Sequence, residues 1–318
     1  MKLKLTALLV FAGCTAASGF GQTMGYPETG FNLKVNCGHK VEGKLPSINA
    51  ALKLLVPSAS NTVTVSGMCN ENLLVQGFDR LTLISTTGAT INDASGGQAT
   101  VVDIEDSRRV TLQGFTVNGG LDGVVCGNAS VCYLTGNTVQ SSVGQEGVGV
   151  GNGSQAFLTN NVIRNNGTRG LTANEGSRVF STTDTFQGNA DSGVVANSGA
   201  YFACDTSTIE NNGNGGVVLT DHSTGRIISC TISGNTGNGV TVRQGSEARF
   251  DSYNGAATVT ANTGSGVLVR DLSFSFFSGG ANITGNLGGT DVVCAPQFPA
   301  TRGALTGTGG GTTNCVEP

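Results

Sequence analysis

The chain has 318 residues, a formal charge of −4, 12% charged residues, 50 glycines and no tryptophan. A weakly acidic chain with no basic-aromatic surface motif is not built for nucleic acid. Two histidines and no Cys-x-x-Cys leave no zinc-type ligand set.

At the start, Lys2 and Lys4 precede an apolar run from Leu5 to Ala12 and then small residues, the pattern of an export signal over residues 1–21. The run is too short to cross a bilayer. Phe11-Ala12-Gly13-Cys14 approximates a bacterial lipobox, with Phe in place of the usual Leu. Cys14 is therefore a lipidation candidate that would tether the protein to a membrane; cleavage near Gly21 is the rival. Either event takes Cys14 out of a set of nine and leaves an even eight: Cys37, Cys69, Cys126, Cys132, Cys204, Cys230, Cys294 and Cys315. An even count suits an oxidising compartment, so the expected location is secreted, periplasmic or outer-membrane associated. Connectivity stays open. The most local pairing is Cys37–Cys69, Cys126–Cys132, Cys204–Cys230 and Cys294–Cys315, whose first and last members would staple the two ends.

Residues 22–60 precede the periodic region. Pro46 to Val56 reads as a short amphipathic helix with Ile48, Ala51, Leu52 and Leu55 on one face, a cap for the open end of the periodic region. Lys34, Lys40, Lys44 and Lys53 form a solvated face. Strands are then expected at VTVSG from residue 63, LTLIS from 81, VVDIE from 101 and VTLQGFTV from 110.

From Gly123 the chain repeats itself. Glycines 123, 147, 170, 193, 216, 239 and 266 each open a short apolar run, at steps of 24, 23, 23, 23, 23 and 27 residues. An apolar residue followed three places later by Asn keeps the same step: Ile163/Asn166, Phe186/Asn189, Ile209/Asn212, Ile232/Asn235, Val259/Asn262 and Ile283/Asn286. A Ser column runs through Ser130, Ser154, Ser177, Ser223, Ser246 and Ser273, with Ala200 the exception. Alternating short segments with Gly, Asn and Ser turns predict three strands per unit. A fixed period of this size predicts a solenoid whose units bury their apolar sides against their neighbours. The Asn column predicts a ladder, each Asn in a left-handed turn position with its amide bonded to the next.

These columns resemble the pectate-lyase-like superfamily of right-handed parallel β-helices, over roughly residues 60 to 295. The resemblance implies an all-β solenoid of about ten coils and identifies no enzyme subfamily. The expected organisation is a signal at 1–21, an N-terminal segment and cap helix at 22–60, repeats at 61–293 and a C-terminal cap or tail at 294–318.

The resemblance also implies that substrate would lie along one exposed sheet, with catalytic groups projecting from stacked coils. The residue before each opening glycine gives such a column: Asp122, Glu146, Arg169, Ser192, Asn214 or Gly215, Asn238, Ser265. Taking Val101 as the equivalent of the glycine, Asp103 and Glu105 point outward one coil earlier. The candidate catalytic set is Asp122, Glu146 and Arg169, with Asp103 and Glu105 contacting substrate. Asp103, Glu105, Asp122 and Glu146 are also candidate ligands for Ca²⁺, the one cofactor considered, and none is required. Lyase-type chemistry would neutralise a uronic carboxylate with acids or Ca²⁺ and use Arg169 to take the adjacent proton. The competing reading makes these groups exposed ion pairs, with Arg108, Arg109 and Arg169 balancing the acids. Arg243/Arg270 with Asp221/Asp271 form a second outward stripe, and His39 and His222 read as surface histidines.

Polygalacturonase-like Asn-Thr-Asp and Gly-His-Gly motifs are absent, as are a nucleophile elbow and a phosphate-binding loop. With Tyr26, Tyr133, Tyr201 and Tyr253 the only tyrosines, sugar-stacking platforms look scarce. The outward residues two after each glycine are Val125, Gly149, Thr172, Val195, Val218, Thr241 and Leu268, a stripe suited to a partner or covering segment. Three classes stay open: an envelope or exterior protein binding polysaccharide or another surface partner, which leads; a polysaccharide lyase, hydrolase or epimerase acting on a uronic-acid polymer; and a structural or adhesive solenoid.

Overall fold

The computed structural model describes residues 30–38, 42–252, 254–277, 280–294, 301–302 and 312–315. The export signal, Cys14, His39, Tyr26, Tyr253 and most of the 294–318 tail lie outside the described residues.

Every coil contributes one short strand to each of three faces, and all strand pairs are parallel. In the coil opened by Gly193 these are Val194–Ala196, Tyr201–Asp205 and Thr208–Glu210. The first face stacks ten strands, from Leu73–Gln76 to Val292–Cys294. Register is continuous along it: Asp103 pairs with Val125, Val125 with Gly149 and Gly149 with Thr172. Alternation sends Val194, Ala196, Phe202, Cys204 and Ile209 into the interior, all fully buried. Such burial contributes about 1.5–3 kcal/mol per large apolar side chain.

The repeating columns meet at one corner of the coil. A Cβ on Gly193 would stand 2.5 Å from Ile209 Cγ2 and 2.8 Å from Asn212 Nδ2. The opening residue is therefore glycine because the Ile and Asn columns pack against its backbone. The Asn ladder itself is continuous. The Nδ2 groups of Asn166, Asn189, Asn212, Asn235 and Asn262 each donate 2.9 Å to the Oδ1 of the Asn one coil on. The ladder ends on Asp291, whose Oδ1 accepts from Asn286 Nδ2 at 3.0 Å.

One detail of the ladder differs from the expectation. The left-handed residue is the one preceding each ladder Asn, as at Asn165 (φ 51°) and Asn211 (φ 54°), not the ladder Asn itself. The turn must reverse direction just before the amide, so that the amide can point inward between coils.

A further ladder crosses the turn between the second and third faces. Asn137 N–H donates to Asn161 Oδ1, Asn161 N–H to Asp184 Oδ1 and Asp184 N–H to Ser207 Oγ, at 3.0, 2.7 and 3.1 Å. The Ser column works likewise: Ser223 N–H donates to Ser246 Oγ and Ser246 N–H to Ser273 Oγ, both at 3.1 Å.

At the N-terminal end the helix covers Ile48–Leu52, shorter than the predicted 46–56. Ser47 caps it through its Oγ, which accepts from Ala50 N–H, and the Glu71 carboxylate accepts the N–H groups of Ile48 and Asn49 at 2.7 and 2.9 Å. Ile48, Ala51, Leu52 and Leu55 are buried, as their spacing implies. A strand not foreseen, Asn32–Cys37, pairs in parallel with residues 62–67 and adds a rung beyond the first full coil. All four of the most local disulfides form: Cys37–Cys69, Cys126–Cys132, Cys204–Cys230 and Cys294–Cys315.

Candidate active site

The strand Val102–Glu105 buries Val102 and Ile104 and turns Asp103 and Glu105 outward on the first face. The next two coils bring Asp122 and Glu146 to the corner just ahead of Gly123 and Gly147. All four acids line one cavity of about 290 Å³, together with Gly127, Gly149, Gly151, Asn174 and Glu175. The glycines are what open it. A Cβ on Gly149 would stand 3.4 Å from Glu146 Oε1, so the Glu146 side chain lies over the bare backbone of the strand that follows it.

Crowding sets the electrostatics. Burial, with the charges of Glu105 and Asp122, pushes the Asp103 carboxyl up to about 6. One Asp103 oxygen, Oδ1, is buried without a hydrogen-bond partner among the described residues. Burial and the Asp122 charge push Glu146 up to about 7, against the opposing pull of Arg169 and Thr172. Asp122 is also raised by burial, but it accepts the Glu146 N–H at 3.1 Å and the Thr100 hydroxyl at 3.4 Å, which favour its charged form. Neighbouring carboxyls in unequal environments are how one site holds an acid and a base together.

The arginines are placed differently from the acids. Arg169 is not among the residues lining the cavity; its Nε lies 3.5 Å from Asp191 Oδ2, with its charge felt by Glu146. Arg109 does not balance the cluster either. It grips Asp79 with Nη2 at 2.6 and 2.7 Å from the two carboxylate oxygens, and Arg80 adds a 3.1 Å contact to the same group. In the second stripe, Arg270 Nε stands 3.4 Å from the adjacent Asp271, and Arg243 Nε donates to Thr220 Oγ1 at 3.3 Å. His222 is exposed.

The acid cluster has the hard oxygen donors that Ca²⁺ takes. Its oxygens do not converge as they stand, however. Among the described residues, the one group of three side chains whose candidate ligand atoms all lie within 4.8 Å is Cys37, Cys69 and Glu71, and those cysteines form a disulfide.

A second set of residues was not foreseen. Tyr133, Phe157 and Phe180 stack on the outer side of the second face, with ring centroids 5.2 and 5.1 Å apart, and Tyr201 follows at 5.7 Å with its plane turned by 51°. Counting Trp and Tyr alone hid it, because half of the rings are Phe. The spacing of Tyr133, Phe157 and Phe180 matches the glycine steps, so the same period would have revealed them.

A family model described as the right-handed β-helix region matches residues 100–254. The fold is that of a right-handed parallel β-helix. Among solved structures this β-helix is similar to the A-module of the Azotobacter vinelandii mannuronan C-5 epimerase AlgE4, at 13% identity and a TM-score of 0.53, over 91% of this chain and 88% of that one. It is also similar to the pectate lyase Pel9A, at 13% identity and a TM-score of 0.49, over 89% of this chain and 79% of that one. At 13% identity the likeness to the epimerase module speaks for the fold alone. No curated protein matches the β-helix in sequence.

Proposed function

We propose that this β-helix is an exported protein that binds a polysaccharide across its first face and cleaves it by proton transfer in the acid-lined cavity. The observation that carries this is the convergence of Asp103, Glu105, Asp122 and Glu146 from three successive coils into one cavity, with Glu146 raised to about 7 and Asp103 to about 6. A wet surface with no task for these acids would let them spread apart. Here Gly149 gives up a side chain and Glu146 occupies the space.

In this reading protonated Glu146 gives its proton to the glycosidic oxygen as the bond to it breaks. Asp122, whose charged form accepts from the Glu146 N–H and the Thr100 hydroxyl, takes the proton from the attacking water, or from the carbon beside a uronic carboxylate. Protonated Asp103 can donate a hydrogen bond to that carboxylate, and Glu105 contacts the chain beside it. Arg169 tunes Glu146 through its charge while paired to Asp191. Ca²⁺ held by the same acids would supply charge neutralisation. Four disulfides support an oxidising compartment, and Cys14 remains the proposed tether.

The second reading is a binding or adhesive solenoid without turnover. It is favoured by Thr172 and Val195, which face outward yet are 2% and 6% exposed, a closed surface next to the cavity. A panel of neutral and uronic polysaccharides between pH 5 and 8 separates the two, read by new reducing ends and by absorbance of unsaturated products. Product release abolished by Glu146→Gln is expected. Retention of a polysaccharide without any product leaves the binding reading and removes the catalytic one.

A further inference from the structure

The aromatic stack on the second face breaks between Phe180 and Tyr201. Ala203 stands in register with Phe180, so no ring continues the column, and Tyr201 leans in from the neighbouring column instead. A cavity of about 460 Å³ opens at this break, lined by Phe180, Tyr201, Arg178, Ala200 and Thr224, with Gly176 and Gly199 adding no side-chain bulk. It is larger than the acid-lined cavity and is in the range that holds a small ligand.

Two features show what this cavity is suited to hold. Arg178 is exposed and its guanidinium has no ion-pair or hydrogen-bond partner among the described residues, unlike those of Arg80, Arg109 and Arg226, which engage Asp79 or Asp251. The Tyr201 hydroxyl likewise has no partner there. An open pair of rings beside a free guanidinium offers an apolar face and a charge to one and the same small unit. The second feature is position. Asn174 and Glu175 line the acid cavity, and the next three residues, Gly176, Ser177 and Arg178, line this one. The linings of the two cavities thus follow one another along a single turn of the coil.

We propose that the Phe180/Tyr201/Arg178 cavity is an anchoring subsite for a sugar unit bearing a carboxylate, on the same polysaccharide chain that crosses the acid cavity. The rings take the C–H face of the pyranose, Arg178 takes its carboxylate, and the Tyr201 and Thr224 hydroxyls take its ring substituents. A broad apolar partner is a poorer match, because the stack is one ring wide and is flanked by Gln155, Thr159 and Thr182, leaving no wide apolar centre. Polysaccharide as the ligand rests on the function proposed above; the location does not.

The test uses the full chain and three probes: a uronic hexasaccharide, its carboxyl-reduced neutral counterpart and a single-stranded oligo-dT, each titrated by calorimetry. The uronic probe is expected to bind best, with Tyr201→Ala and Arg178→Gln each weakening it by about tenfold. Tyr201→Phe keeps the ring and loses only the hydroxyl contact, so it should weaken binding much less than Tyr201→Ala, which separates ring stacking from loss of fold. Uronic binding unaffected by Tyr201→Ala and Arg178→Gln overturns the subsite while sparing the polysaccharide reading. Equal affinity for the neutral probe, or preference for oligo-dT, overturns the sugar-acid assignment. Wild-type dimers that Tyr201→Ala converts to monomers identify the cavity as a self-association face and overturn it as well. If none of the probes and none of the polysaccharides of the wider panel binds, both readings fall together.

Discussion

The backbone N–H of Glu146 donates to Oδ1 of Asp122 at 3.1 Å, across one coil step. This bond favours the charged form of Asp122 against the larger effect of its burial, and the charge of Asp122 is part of what pushes Glu146 up to about 7. The repeat thus does more than place two acids together. It sets them in unequal surroundings, with the charge of Asp122 raising Glu146.

Glu146 should therefore leave a signature in stability as well as in rate. Its folded pKa lies above its unfolded value, so its neutral form suits the fold. The stability it contributes is complete below about pH 4.5 and is lost as the pH rises through about 7. Melting curves from pH 4 to 9 should show a decline across that window that is smaller in Glu146→Gln, where only the other raised carboxyls contribute. If product release is observed, the same variant should lower it by about 10²–10⁴-fold. An identical pH profile for wild type and variant removes Glu146 as the titrating group.

Gly149→Val tests the cavity itself. The added side chain would meet Glu146 Oε1 and Val125 Cγ2, each already 3.4 Å from the position of a Cβ. Valine suits a strand, and the preceding coil carries Val125 at the register position, so the coil should hold. The carboxylate should be displaced toward water, with its pKa moving back toward the ordinary value of about 4.3. Carboxyl NMR of the wild type and Gly149→Val reads this directly. A Glu146 resonance that still titrates near 7 would show that the glycine is not what shapes the site.

How much of this was legible depended on whether a column keeps its residue type. Gly and Asn recur unchanged at the 193 and 212 positions, with an apolar residue always at the 209 position, because the three pack on one another, and sequence alone exposed them. The ladder through Asn137, Asn161, Asp184 and Ser207 performs a similar hydrogen-bonding task with three residue types and escaped notice. Likewise Asp122 and Glu146 were legible as residues preceding glycines, and Asp103 and Glu105 as outward strand residues, whereas the cavity was not. Gly149 read as one more member of an apolar stripe, when its missing side chain is the opening. Arg169 lay in the right column but chose Asp191, a partner on the following coil that no spacing singled out.

Calcium is tested through the same carboxyls. A bound cation favours their charged forms, so it should pull the raised values of Asp103 and Glu146 downward. Because the oxygens must first rotate together, affinity in the range of weak extracellular sites, about 10⁻⁴–10⁻³ M, is expected. Carboxyl titrations with and without about 10 mM Ca²⁺, a concentration well above that range, measure it. Unmoved titrations for both groups would remove calcium from the site whatever the activity shows.

The last prediction concerns Asp184, a carboxyl in the middle of an amide ladder. It is 1% exposed, and burial raises its pKa even though Asn161 and Ser181 donate to it. Its Oδ1 accepts from Asn161 Nδ2 at 2.9 Å and its Oδ2 from Ser181 Oγ at 2.7 Å. Asparagine keeps the first acceptor and carries no charge to bury. Its amide nitrogen can donate to the preceding coil, as Asn161 does to the Leu134 carbonyl at 2.8 Å. The folded pKa is raised, so the stability linked to Asp184 is complete below its unfolded value and declines as the pH rises past it. Asp184→Asn should therefore melt higher than wild type at pH 7, by about 2–4 °C for a gain of about 1 kcal/mol, and the gap should close toward pH 4. Asp184→Ala should instead lose about 1–3 kcal/mol at either pH, because the buried Asn161 donor is left unpaired. Thermal scans of the three proteins at the two pH values decide it: an Asn variant that melts below wild type at pH 7 would mean that the charge is needed where it stands.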